Sequence, residues 1–439
     1  MIFHVASLGC ARNLVDSESM TGRLLAAGHE STEDPAGAEV IVVNTCSFIE
    51  SAVDESIDTI LALARHKTQG VCRRMIVTGC LPERFREEIV SSLPEVDMFL
   101  GTGAYDRIVE AFREHDEDSP RCILPDPDAL ESASEVLPRA GQPSPMSYLK
   151  IAEGCDRHCT YCIIPKLRGR QKSRPIQKIV QEAAALVRSG VKELVLVAQE
   201  TTAYGRDIGL SNGLSHLLQE LSAISSDIWI RMLYGHPESM DDTLIRTMHQ
   251  ASNICSYFDV PIQHASNRIL KKMGRQYQKE DLFRLFDRIR SIAGDACLRT
   301  TVITGFPGET ESDFDELFSC IEKIRFDHLG VFNYSDSEDL ASHGLAHHVP
   351  GEIAMARHDA IMSRQMEIST ENNEKYLHQT LPVLIEEMPE KGLYIGRTVF
   401  QAPEVDGITY VHKDKLTIGE FADVRITETL EYDLTGEAL

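Results

Sequence analysis

Three short apolar runs near the start of the chain, FHVASLG, EVIVVNT and RMIVTG, each lead straight into a cysteine. Runs of this length, rich in Val and Ile and separated by helix-like stretches, predict buried parallel strands of an α/β sheet. In open parallel sheets, ligands gather at the carboxyl ends of the strands. The pattern therefore predicts that Cys10, Cys46 and Cys80 converge on one point and share a metal centre. The competing reading is three small core cysteines, which are common residents of buried sheets.

The 439 residues leave room for about three domains. We read residues 1–117 as the parallel-sheet domain and 118–146, rich in Pro, Ser and acidic residues, as a linker. From 147 to 370 strand-like and helix-like segments alternate. The strand candidates are MSYLKIA, ELVLVAQ, WIRMLYG, SYFDVPIQ, LRTTVITG and HLGVFNYS. Six such repeats predict an open, partial (β/α)6 barrel rather than a closed eight-fold one, with its chemistry on the loops after the strands. Residues 351–376 read as a long polar helix. Beyond it, TLPVLIEE, YIGRTVF, GITYVH and FADVRITET predict a small all-β domain over 371–439.

Eleven cysteines, an odd number, are too sparse for a disulfide scaffold, and in a reducing compartment clustered thiols more often bind metal or react. No apolar window reaches the ~18 residues of a membrane span, and MIFHVASLGCARN lacks the basic start of a secretory signal. A cytoplasmic location is expected. The net charge of −24 argues against affinity built on neutralising phosphates and suits a basic protein partner.

The segment IAEGCDRHCTYCIIPKLRGR carries Cys155, Cys159 and Cys162 in CxxxCxxC spacing. Three thiolates on a short loop hold three irons of a four-iron, four-sulfur cluster and leave the fourth open. Zinc competes for such a triplet but wants four closed ligands. His158, squeezed between two of the cysteines, reads as a loop residue. The position after the first barrel strand strengthens the cluster reading.

The triplet, with Tyr161 as the aromatic residue before its last cysteine, resembles the radical S-adenosylmethionine (SAM) superfamily. SLGCARNLVDSE, VVNTC and VTGC narrow the resemblance to the methylthiotransferases, and it covers essentially the whole chain, including a C-terminal TRAM domain. LGCARNLVDSE, APEVDG and EYDLTGE look like the RimO type, which methylthiolates an aspartate β-carbon of small-subunit ribosomal protein S-twelve.

The resemblance implies two 4Fe-4S clusters. The one on Cys155, Cys159 and Cys162 binds SAM at its open iron and cleaves it to a radical that abstracts hydrogen from the β-carbon. No side-chain base is matched to so weak a carbon acid. The second cluster, on Cys10, Cys46 and Cys80, carries the sulfur, which a second SAM methylates. An external electron donor and a sulfur donor are implied partners. The resemblance puts Gln199 and Glu200 at the methionyl end of SAM, and Tyr161, Gly305 and Pro307 near its adenine. Gly-Phe-Pro-Gly is otherwise simply a turn.

Other residues are less telling. Gln263 and His264 follow a strand, and a lone His there reads as structural. Arg168 and Arg174 lie just beyond the cluster loop, where carboxylates of SAM or substrate would meet them. YSDSEDLAS replaces an acidic stretch that ends Gly-Thr in the family, so the loop's shape is expected to differ. Cys72, Cys122, Cys255, Cys297 and Cys320 fit no cluster pattern.

The alternative substrate is tRNA, as in the MiaB type, since TRAM domains are introduced as RNA-binding. Residues 371–439 hold 14 acidic and six basic side chains, a net of −8. That balance repels a phosphate backbone and attracts a basic ribosomal protein.

Overall fold

The computed structural model describes residues 1–113, 121–129, 136, 139–141 and 144–439. At the N-terminus six strands form one parallel sheet: β1 (Ile2–Ser7), β2 (Glu30–Ser31), β3 (Val40–Thr45), β4 (Arg74–Gly79), β5 (Met98–Leu100) and β6 (Cys122–Ile123). Their order is β2-β1-β3-β4-β5-β6. The three cysteine-bearing runs are thus adjacent strands. Both faces are covered, which is why β3 reads as a continuous apolar run. Ile41, Val43 and Val77 pack on Val53 and Ile60 of the helix Glu50–Ala64. Val40, Val42 and Ile76 pack on Met20 and Leu24 of the helix Ala11–Ala26.

The expected linker at 118–146 needs correction. Its described part includes β6, which pairs in parallel with β5, so the sheet continues past residue 117. A two-residue strand carries too little periodicity to be read from sequence. Residues 114–120, 130–135, 137–138 and 142–143 lie outside the described residues.

The central region holds six parallel strands in two runs of three. One run is β7 (Met146–Lys150), β10 (Glu193–Val197) and β11 (Trp229–Met232). The other is β12 (Tyr257–Asp259), β13 (Cys297–Thr304) and β14 (His328–Asn333). A bridge between Ile230 and Ile254 joins the runs, giving the open six-stranded barrel. A short antiparallel pair, β8 (Ala152–Glu153) and β9 (Lys172–Ser173), frames the loop after β7. Leu149, Leu194, Leu196, Ile230 and Met232 face the surrounding helices. Their alternates Tyr148, Val195, Val197 and Trp229 face inward.

The helix Gly351–Asn373 leads into a closed five-stranded barrel: β15 (Thr380–Glu390), β16 (Leu393–Arg397), β17 (Thr409–His412), β18 (Phe421–Thr429) and β19 (Leu434–Ala438). The last strand, LTGEA, has too few apolar residues to show alternation in sequence. This small barrel is not a free appendage. Its core merges with the inward residues of the central barrel. Fully buried Glu193 binds Arg231 Nε at 2.7 Å and Arg397 Nη2 at 2.6 Å, and Arg397 also holds Glu386. The APEVDG segment plugs the same interior. Glu404 accepts from Tyr148 (3.0 Å) and Asp406 from Tyr257 (2.6 Å). Removing one partner of such a buried pair costs about 3–5 kcal/mol.

Candidate active site

Each cysteine of the first triplet sits where a strand stops. Cys10 is the N-cap of the helix Ala11–Ala26, Cys46 follows β3, and Cys80 opens the helix Cys80–Phe85 directly after β4. Side-chain amides and hydroxyls stitch the three turns together. Asn13 Nδ2 donates to Leu8 O and Thr45 O, Asn44 Nδ2 to Asn13 O and Ser17 Oγ, and Thr45 Oγ1 to Thr78 O. Gly9 lies at φ +86, and a Cβ there would stand 2.6 Å from Cys46 Cβ. The Cys10 and Cys46 turns are that close only because residue 9 has no side chain. The thiols also sense one another. Burial, reinforced by Cys46 and Cys10, pushes Cys80 up to about 11 despite Arg168. Cys10 is half-buried, and although desolvation would raise its thiol, Arg12 and Arg168 hold it below the usual range.

The second triplet lies on one loop between β8 and the helix Ile164–Arg168. Gly154, at φ +79, starts it, and a Cβ there would meet Arg170 O at 2.0 Å. Cys155 N donates to Gly169 O, Cys162 N to Cys159 O, and Thr160 N to Met273 O. All three thiols are half-buried. Burial raises Cys155 to about 11 and Cys162 to about 12. His158 is exposed, as a loop residue should be.

Among the described residues, no group of three or more His, Cys, Asp or Glu is close enough to hold a single metal ion. Three thiols with no fourth protein ligand gathered in suit an iron–sulfur cluster with one free iron better than a closed zinc site, with Cys46 and Cys80 of the first set buried and the second set half-buried.

The remaining expected residues are distributed as follows. Gln199 Nε2 donates to Glu153 Oε1 at 2.5 Å, while its Oε1 is buried and without a partner. Glu200 is clamped by Arg157, whose Nε lies 2.7 Å away, and accepts from Ser239 Oγ. Although burial pushes the Glu200 carboxyl up, Arg157 and His236 hold it below the ordinary range. Tyr161 packs edge-on against Phe306, which stands between Gly305 and Pro307. Its hydroxyl accepts from Arg275. Both Gly305 N and Phe306 N donate to Glu309 Oε2, so this turn has spent two of its own N–H groups internally. Burial raises Glu309 to about 7 even though Arg357 faces it.

Arg168 and Arg174 meet carboxylates of the protein itself rather than free ones. Arg174 Nη2 binds Glu182 at 2.6 Å. Arg168 is fully buried and reaches Asp16 (3.1 Å), Glu153 (3.0 Å), Asn13 Oδ1 (2.5 Å) and Cys80 Sγ (3.7 Å). Lys150 completes this group, binding Asp16 and Glu153. One buried ion network therefore welds the first triplet to the second: Asp16 comes from the N-terminal helix, and Glu153 lies two residues before Cys155. Burial alone would raise Glu153, but Arg168 and Lys150 hold it well below the carboxylate range.

The YSDSEDLAS loop closes the same seam from the other side. Arg84 Nε donates to Asp339 Oδ2 at 2.9 Å and Arg84 Nη2 to Ser337 Oγ. Tyr334 OH, at its start, donates to Asp336 Oδ1. His264 is fully buried and structural, accepting from Ser266 N. Cys72, Cys122, Cys255, Cys297 and Cys320 are free and scattered.

The comparisons agree with this architecture. The family described as "Uncharacterized protein family UPF0004" matches residues 2–101, the radical SAM superfamily 149–321, and the TRAM domain 379–439. A ribosomal protein uS12 methylthiotransferase RimO from Desulfosudis oleivorans is 55% identical over 439 residues, covering 100% of both chains. A protein of the same name from Clostridioides difficile is 48% identical over 99% of this chain and 98% of its own length. Among solved structures, the radical SAM methyltransferase TsrM from Kitasatospora setae superposes with a TM-score of 0.57 over 75% of this chain and 72% of its own, at 14% identity, a likeness of fold alone. Fold, thiol triplets and domain matches together define a radical SAM methylthiotransferase. Within that class, the chain belongs to the RimO family.

Proposed function

We propose that this enzyme methylthiolates the β-carbon of an aspartate in small-subunit ribosomal protein S-twelve. Cys155, Cys159 and Cys162 would hold the cluster that engages SAM, and Cys10, Cys46 and Cys80 the auxiliary one. Bound there, the first cluster supplies reductive cleavage of SAM and the second supplies the sulfur, with electrons and sulfide from external donors.

What carries the reading is the seam. The Arg168–Asp16–Glu153–Lys150 network fixes the turn bearing Cys80 against the strand leading to Cys155. The protein's own task is positioning and exclusion of water, while radical chemistry belongs to the cofactor. Gln199 Oε1, buried without a partner, is an acceptor available to the SAM ammonium. Tyr161 and Phe306, with the carbonyls of Gly305 and Pro307, would line the adenine side. Glu200 acts through Arg157, orienting the cluster loop.

The protein substrate is favoured over tRNA by the net −8 of residues 371–439. The docked TRAM barrel agrees, because its APEVDG segment is spent on the central barrel. We divide the chain at 1–117, 147–370 and 371–439, with the first unit extended by β6. A cytoplasmic location follows from the ribosomal substrate, and no described helix is long and apolar enough to cross a membrane.

The test is an anaerobic incubation of reconstituted protein, SAM, reductant and sulfide with S-twelve and, in parallel, with tRNA, both read by mass spectrometry. A methylthio gain on one aspartate is expected, and a gain on tRNA instead would overturn the substrate.

A further inference from the structure

Nearly every arginine around the two triplets is already neutralised. Arg168 has Asp16 and Glu153, Arg157 has Glu200 and Glu238, Arg84 has Glu50 and Asp339, and Arg174 has Glu182. Arg12 differs. No carboxylate among the described residues forms an ion pair with it, and its polar contacts are one backbone carbonyl, Ala198 O at 3.0 Å from Nη1, and the ring of Tyr234, 4.7 Å from its guanidinium carbon. Its Nε is buried and without a hydrogen-bond partner, as are those of Arg174 and Arg275, but those two have side-chain partners on their terminal nitrogens. The charge of Arg12 is felt by the Cys10 thiol and by Glu153, but no described carboxylate oxygen meets its donors, and a buried donor without an acceptor suits a ligand that arrives to satisfy it. Arg275 also lacks a carboxylate, but one terminal nitrogen lies 2.5 Å from His236 Nε2 and the other donates to Tyr161 OH.

The position of Arg12 is equally informative. It follows Cys10 by two residues, yet it reaches across the seam to Ala198, the residue before Gln199 at the mouth of the barrel. Tyr234 beneath it is non-glycine with φ 63, just past the end of β11. Backbone in that region is uncommon for a bulky residue and clusters at functional sites. Gly9 is exposed and Cys10, Arg12 and Tyr234 are half-buried, so the seam is open to an incoming side chain here.

We propose that Arg12 is a specificity-determining residue that binds the side-chain carboxylate of the target aspartate. This rests on the aspartate reading given above. The carboxylate is not consumed in the reaction, and a planar guanidinium fork can donate to both its oxygens. Held there, its neighbouring β-carbon lies between the Cys10 turn and the barrel mouth. The same contact rejects an uncharged amide at that position, because a site built for a charge leaves its donors unpaired without one.

The test is a binding cycle using purified S-twelve and its Asp→Asn variant at the target position, titrated into the full chain and into Arg12→Met and Arg12→Lys. The wild-type enzyme is expected to prefer the aspartate form by about 10- to 100-fold. Arg12→Met brings the ratio to about one, and Arg12→Lys restores part of it. If Arg12→Met weakens both forms equally, its role is structural and the proposal is overturned. If SAM affinity falls while the discrimination survives, Arg12 serves the cofactor and the proposal is again overturned. If wild-type enzyme binds neither form, the S-twelve reading itself fails. If it binds both equally, only the role of Arg12 does.

Discussion

Cys155, Cys159 and Cys162 lie on one short loop, whereas Cys10, Cys46 and Cys80 are delivered by three neighbouring strands of a sheet. The loop triplet is a local device. Its shape comes from a glycine, a few backbone bonds and the Met273 loop pressed against it. The strand triplet is a tertiary device, whose spacing depends on the sheet register, on Asn13, Asn44 and Thr45, and on an arginine borrowed from the next domain. The electrostatics differ in the same sense. Flanking guanidiniums lower Cys10 alone, while burial raises Cys46 and Cys80 as it raises Cys155 and Cys162. A site assembled from afar depends on more distant residues than one written on a loop, which here is reached from outside chiefly through Arg157 and Thr160.

The largest expected effect separates the two triplets. Cys155→Ala should abolish formation of deoxyadenosine and with it all methylthiolation. Cys80→Ala should leave SAM cleavage in place and remove only the methylthio product. Each should lose about four irons after reconstitution, as expected for one four-iron cluster. Chromatography of the nucleoside products and iron analysis decide it, and an identical outcome for both variants would erase the division of labour.

Next comes the network between them. Arg168→Met strands Asp16 and Glu153 in the interior with only Lys150, which should cost about 3 kcal/mol or more in denaturant unfolding. The loss should be much smaller in an Asp16→Asn/Arg168→Met double variant.

The two glycines sharpen the comparison further. Gly154→Ala drives a Cβ into backbone at Arg170, while Gly9→Ala meets the Cys46 side chain. Both lie at positive φ, so each is strained by about 1–3 kcal/mol. The additional backbone overlap should make Gly154→Ala the worse of the two by thermal unfolding.

The smallest effect is one of pH. Burial raises Glu309 to about 7. A carboxyl with a raised folded pKa binds its proton better in the native state, so its contribution is greatest on the acid side and is lost as pH rises through 7. Stability should fall by about 1 kcal/mol between pH 6 and pH 8 from this group. Glu309→Gln should flatten that slope in parallel denaturation series.

What could be read in advance follows the same division. The six cysteines and the strands carrying them announce themselves locally, through apolar runs and short spacings. Arg168 does not, because Asp16 lies 152 residues away and nothing near PKLRGR marks it as a bridge. Arg12 and Asn13 stand in plain view in GCARN, but their partners, Ala198 O and Thr45 O, are contributed by other segments. Glu309 was legible in principle. GFPGE puts a carboxylate three and four residues after two turn N–H groups, the spacing at which a side chain can turn back onto the backbone. β6 escaped because two residues show no period.

The burial of the strand triplet sets an order of events in the life of the chain. Cys46 and Cys80 are only 8% and 5% exposed, and Ile163, Leu167 and Leu340 from the central region close over Cys80. If these thiols hold a cluster as proposed, a carrier would reach Cys46 and Cys80 more readily before the central region packs against them, and loading would be coupled to domain docking.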